Sequence, residues 1–102
     1  IEKLIQEKGI DPKKDLCGFI LETFQGWGAV FYPQGFVKEL DKFAKKNDIL
    51  VISLLGKDGG NCKSLSDIEI IIPSNKTAKI QECHMMLGHH ILEKVEDRLI
   101  DV

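Results

Sequence analysis

Gln81-Glu82-Cys83-His84 and His89-His90 gather the residue types most able to move a proton or hold a metal into one short stretch. Imidazole changes charge near neutral pH and is the commonest metal ligand. A zinc site borne on a helix needs two histidines on one face, four residues apart, as in HExxH. His84, His89 and His90 offer no such spacing, and HExxH is absent. Gln81 and His89 lie eight residues apart, which on a helix is about 80° of rotation and roughly 12 Å of rise. They can border one cleft, but they meet at a single ion only with considerable side-chain reach. On spacing alone, a buried or interface histidine is the better reading.

Gly56, Gly59 and Gly60 follow an apolar run, as glycines do where backbone N–H groups cradle a phosphate. Their spacing matches neither GxGxxG nor GxxxxGK[ST], so a plain strand-exit turn fits better. Cys17 and Cys83 sit in apolar runs and read as core thiols; Cys62 lies in a loop with no activating neighbour. Glu22 closes an apolar run, where α/β enzymes place acids, and is equally a solvated strand end. Trp27, Phe31 and Tyr32 read as an aromatic packing cluster.

The elements that must position these groups follow from hydrophobic periodicity. A short helix is predicted over residues 2–8, closed by Gly9 and stopped by Pro12. Residues 16–24 form a strand-like run broken by Gln25-Gly26-Trp27-Gly28. Pro33 suits a first helical position, and Phe36, Val37, Leu40, Phe43 and Ala44 make one apolar helix face. Ile49–Leu55 is nearly continuous Ile, Val and Leu, as in a strand covered on both faces of a parallel sheet. Strand, helix and strand predict a right-handed βαβ unit. After a turn at 56–60 and a possible helical turn at Ser64–Asp67, a second buried strand is predicted over Ile68–Ile72. A long helix then runs from Thr77 to about Ile100, capped by Ser74 or Asn75. Its first half is apolar nearly all round, which predicts burial at the sheet or against another subunit. The fold class expected is α/β: a three-layer sandwich with a short, mainly parallel sheet and a long C-terminal helix.

Composition narrows the function classes. The 102 residues suit one small domain, and 43% hydrophobic with 29% charged residues is the balance of a globular chain. A net charge of −2 leaves no basic footprint for nucleic acid or an anionic membrane. No apolar run approaches the ~20 residues of a spanning helix. Three cysteines without a CxxC pair fit a reducing compartment, so a cytoplasmic location is expected. Ile1 opens in mid-pattern, as an internal piece of a longer chain would.

Val51-Ile52-Ser53-Leu54, Gly56-Lys57-Asp58-Gly59-Gly60, Ile71-Ile72-Pro73-Ser74 and above all Thr77-Ala78-Lys79-Ile80-Gln81-Glu82-Cys83-His84 with His89 resemble the last third of a sugar isomerase (SIS) domain of the phosphoheptose isomerase type. That resemblance covers about residues 50–100. It implies a SIS, flavodoxin-like fold and the conversion of sedoheptulose 7-phosphate to a glycero-manno-heptose 7-phosphate. In the family the glutamine and the histidine eight positions later line the active site and can bind zinc, and the histidine is a general acid/base. The resemblance therefore implies roles for Gln81 and His89 as site and metal residues, with His89 catalytic, and for Thr77 as a substrate contact. It also implies a homo-oligomer, a dimer or tetramer.

The first half resembles a different family. Phe19 to Ala29, then Tyr32-Pro33 and Phe36-Val37 through Leu50, is similar to the middle of a class III, PLP-dependent aminotransferase. Glu22, Gln25 and Gly26 match its EP-x-Q-G-x-G strand end, with Thr23 in place of proline. The cofactor aspartate is missing, since Ser53-Leu54-Leu55-Gly56 stands where D-E-V-Q should arrive, and no Schiff-base lysine follows. PLP is therefore not expected. The chain reads as one α/β domain over 1–102, composed of an aminotransferase-like segment (1–50) and a SIS-like segment (51–102), with the two resemblances meeting near Ile49–Val51.

Aldose–ketose isomerisation needs a positioned base and acid together. The serine-rich phosphate loop and the N-terminal glutamate that the SIS resemblance calls for are missing, so the expected function is a phosphosugar isomerase incomplete as this chain alone. The alternatives are a non-catalytic α/β fragment and a piece of an aminotransferase.

Overall fold

The computed structural model describes residues 1–22, 24–25 and 27–100. The chain forms two compact units, Ile1–Leu50 and Val51–Val102.

In the first unit, helix α1 (Glu2–Lys8) ends where Gly9 turns left-handed at φ 64°. Its amide donates to the Gln6 carbonyl at 3.1 Å, satisfying an otherwise orphaned helix-end acceptor. Helix α2 (Gln34–Lys46) starts one residue after Pro33, whose fixed φ suits the entry. At its far end Asn47 Nδ2 donates to the Phe43 carbonyl at 2.8 Å. Glu2 and Lys46 join the start of α1 to the end of α2 at 2.6 Å. The inner end of the predicted apolar face is the core here: Phe43 is 4% exposed and Ala44 7%. Phe19 packs edge-on against Phe43, ring centroids 5.9 Å apart.

Four expectations that involve this unit are corrected. Residues 16–22 form no strand; only Phe24–Gln25 (β1) does, and it pairs antiparallel with Val30–Phe31 (β2). The predicted βαβ unit, from the 16–24 strand through the helix to Ile49–Leu55, therefore does not form among the described residues, because β1 takes the nearest partner in sequence. Closing a four-residue connection costs far less chain entropy than reaching a strand some thirty residues on. The aromatic cluster is also dispersed. Trp27 stands 93% exposed in the hairpin turn, while Tyr32 stacks on Phe36 and Phe31 packs tilted against Phe24. Cys17 is exposed rather than a core thiol. Thr23 and Gly26, two positions of the aminotransferase-like motif, lie outside the described residues.

In the second unit, strands β3 (Ile52–Gly56) and β4 (Ile68–Ile72) run parallel, in register from Ile52 opposite Ile68 to Gly56 opposite Ile72. The connection between them is a loop with one 3₁₀ turn at Gly60–Cys62, and the turn considered at Ser64–Asp67 is only bent chain. Asp67 ties the loop to the start of β3: its carboxylate accepts from the Val51 amide at 2.8 Å, and its own amide donates back to the Val51 carbonyl at 3.1 Å. Helix α3 (Thr77–Ile100) follows β4, as its periodicity predicts. Just before it, the Ser74 hydroxyl accepts from the Lys76 amide at 3.1 Å.

The architecture is thus mixed helix and strand, with one parallel pair, one hairpin and a long C-terminal helix, compatible with an α/β class. Burial differs from what the apolar runs predict. Among the described residues no apolar side chain of the second unit is buried. Parallel strands normally have both faces covered, and two strands with one helix leave much of Ile52–Ile72 half-open. Among the described residues no helix is long and apolar enough to cross a membrane.

Candidate functional site

Helix α3 is seated on the end of β3 by two adjacent contacts. Ile80 and His84, one turn apart on the same helix face, meet Gly56 and Leu55. A β-carbon built on Gly56 would stand 2.7 Å from Ile80 Cδ1 and 2.9 Å from Cγ2, so only glycine admits this approach. Next to it, His84 Nε2 lies 3.0 Å from the Leu55 carbonyl oxygen. A carbonyl oxygen only accepts, so Nε2 carries the proton and donates. Cys83, Leu87 and Ile91 continue this half-buried side of the helix.

Gln81 and His89 lie on the open side. Both are exposed, and with Glu82, Met85, Met86, His90 and Glu93 they border a shallow concavity along α3. Met85 and Met86, each 63% exposed, give it an apolar floor between the polar groups. His90 Nδ1 stands 3.8 Å from Glu93, and Lys79 pairs with Glu82 at 2.8 Å, so part of the local charge is neutralised along the helix. Thr77 is the first residue of α3 and is exposed. From Thr77 to His89 is roughly 18 Å of helix rise, so the three expected site residues share one helix but do not converge on one point.

Glu22 is exposed in the irregular stretch before β1 and does not end a strand. The glycine loop after β3 behaves as a turn. The Gly59 amide donates to the Gly56 carbonyl at 3.0 Å and the Gly60 amide to Asp58 Oδ1 at 3.0 Å, so these N–H groups are spent within the loop. Gly59 and Gly60 both have positive φ, which accounts for the residue type without a ligand. Beside this loop, Lys57, Asp58, Pro73, Ser74 and Asn75 form a small recess at the carboxyl ends of β3 and β4, the side of a parallel sheet where ligands bind.

The donor set for zinc does not close. Gln81 and His89 offer two neutral donors about 12 Å apart along the axis. Among the described residues no three His, Cys, Asp or Glu side chains gather around a common point. A stable zinc site takes three or four ligands, so the residues present do not hold the ion by themselves.

His84 is the participant that motif spacing hides. Its hydrogen bond is legible only as the i, i+4 partner of Ile80, on the side of α3 that faces the strand.

The chain is similar over part of its length to several phosphoheptose isomerases. With that of Leptospira biflexa serovar Patoc it is 52% identical over 56 residues, 55% of this chain and 29% of the relative. With that of Nitratiruptor sp. it is 46% identical over 54 residues, 53% of this chain and 29% of the relative. With that of Clostridium acetobutylicum it is 45% identical over 58 residues, 57% and 30%. The chain thus spans about three tenths of the length of the relatives it matches. These relatives do not bear on the aminotransferase-like motifs. No protein-family model and no solved structure matches the chain.

Proposed function

We propose that this chain carries part of a SIS-type phosphoheptose isomerase site, acting on sedoheptulose 7-phosphate or a related heptose phosphate. The observation that carries the reading is 52% identity over 56 residues to a phosphoheptose isomerase. The exposure of both Gln81 and His89 on the open side of α3 supports it. In this reading His89 is the catalytic residue. Its imidazole exchanges a proton with the carbons or oxygens at the carbonyl end of the sugar, and Gln81 and Thr77 orient the hydroxyls.

One imidazole can act as acid and base in turn, but the transfer between adjacent carbons needs a second positioned group. That group, the phosphate loop and the further donors zinc requires lie outside residues 1–102, in a homo-oligomer of two or four subunits within the cytoplasm. The three-layer sandwich belongs to the same assembly, where further elements cover the bare sheet. The first half enters as an aminotransferase-like segment joined to the SIS-like one. This composite reading rests on the meeting of the two resemblances near Ile49–Val51.

The test is titration calorimetry with sedoheptulose 7-phosphate, with and without zinc, on the wild type, Gln81→Ala and His89→Ala, backed by an isomerisation assay. Saturable binding that weakens about tenfold in either variant supports the reading, the size expected for losing a hydrogen bond to a polar ligand. Equal binding by all three removes it. A second reading is a folded but catalytically silent module, favoured by the lack of a serine-rich phosphate loop in the 102 residues; no heat at millimolar ligand would support it.

A further inference from the structure

We infer that His84 is a positioning residue that sets where Gln81 stands, through its hydrogen bond to the Leu55 carbonyl. This rests on the isomerase reading of Gln81 and His89 and deepens it. Among the described residues, helix α3 lies along a two-stranded sheet without a buried apolar side chain to fix its rotation, and apolar contacts alone let a helix roll or slide by small amounts. A directed bond to a strand carbonyl removes that freedom. His84 Nε2 to the Leu55 oxygen, at 3.0 Å, is the one side-chain hydrogen bond between α3 and the sheet among the described residues.

The location makes the bond consequential. Leu55 is the penultimate residue of β3, so the anchor lies at the carboxyl end of the parallel pair. Gln81 is one turn before His84 on the helix and exposed, so a roll of α3 about its own axis, which this bond opposes, carries the Gln81 amide round with it. Gly56 against Ile80 sets how closely the helix approaches. The hydrogen bond sets its rotation and its place along the strand. Imidazole suits the role because a rigid ring carries the donor across the helix–strand gap, and pairing Nε2–H with a carbonyl fixes the tautomer.

The experiment compares the wild type with His84→Gln, which keeps an Nε2 donor at similar reach, and with His84→Phe, which keeps the bulk and loses the donor. Two readouts are taken on the full chain: side-chain amide and imidazole resonances of Gln81 and His89 by NMR, and calorimetric binding of sedoheptulose 7-phosphate. The expected result is that His84→Phe shifts the Gln81 side-chain amide and weakens binding about tenfold, the scale of one lost hydrogen bond to the ligand. His84→Gln keeps both near wild type while melting at a temperature similar to His84→Phe. A purely structural role would move the melting temperature of both variants and leave the resonances of the Phe variant in place. Unchanged Gln81 resonances in His84→Phe overturn the inference, whatever the binding result. If Gln81 moves in His84→Phe but the wild type binds no sugar phosphate, the isomerase reading fails and His84 remains the residue that positions Gln81.

Discussion

Replacing Gly56 by alanine tests how α3 is seated. The added methyl would stand 2.7 Å from Ile80 Cδ1, 2.9 Å from Cγ2 and 3.3 Å from Cγ1. The Cδ1 contact alone could be relieved by a rotation at the end of the side chain. Cγ2 is different, because a β-branched residue in a helix has one strongly preferred χ1 and the branch cannot swing clear. Either the helix or the strand end must shift, and overpacking of this kind costs about 1–3 kcal/mol. Ile80→Ala alone removes all three contacting atoms from a half-buried site and costs about 1–2 kcal/mol, below the range for fully buried isoleucine. In that background the three atoms nearest to the alanine at 56 are gone. Gly→Ala at an unstrained position then also restricts the unfolded chain, worth about 0.4–1 kcal/mol in favour of folding. The two changes should therefore be strongly non-additive, with a coupling of about 1–3 kcal/mol. The assay is urea unfolding followed by far-UV circular dichroism, which reports α3. With a slope near 1 kcal/mol/M for so small a unit, Gly56→Ala lowers the midpoint by about 1–3 M. Strict additivity of the two costs, or an unchanged midpoint in Gly56→Ala, would refute the seating described here.

Gly9→Ala places a side chain at φ 64° and should cost about 1 kcal/mol; faster amide exchange over residues 2–8 is the check. The Lys46 ammonium, by hydrogen bond and by charge, holds the Glu2 carboxyl below its ordinary value. A lowered carboxylate pKa contributes stability above the unfolded value of 4.5 that disappears as pH falls through the folded one. Lys46→Met should therefore flatten the acid limb of a melting-temperature profile, with little change at neutral pH because the pair is exposed; an unaltered acid limb would count against the contact. Trp27, 93% exposed, should emit like tryptophan in water and be quenched freely by acrylamide; a blue-shifted, protected signal would show that another chain covers the hairpin turn.

Periodicity located the helices well. The 2–8, 34–46 and 77–100 segments carry clear caps or apolar faces, and their ends fall within a residue or two of the structure. Strands β3 and β4 were legible as bounded Ile- and Leu-rich runs. The run 16–24 misled because composition reports a taste for strand but not the presence of a partner. Phe24-Gln25 found Val30-Phe31 across the turn, and Leu16 to Glu22 found none. Cys17 and Trp27 misled for a related reason: an apolar residue is buried only if enough chain surrounds it, and here little does. At the site, Gln81 and His89 were legible through a family motif. The bond from His84 to Leu55 depends on a contact twenty-nine residues apart in sequence, which helical spacing does not encode.

The parallel pair has a further implication. In a sheet of order β3-β4, each strand has a neighbour on one side only, and β4 reads Ile-Glu-Ile-Ile-Ile. Bare edges rich in isoleucine are templates for whatever extended segment arrives first. Protein concentration therefore becomes a variable of folding. In dilute solution the exposed edges stay wet, while in concentrated solution they meet one another, and cross-β growth then competes with folding for the yield of usable protein.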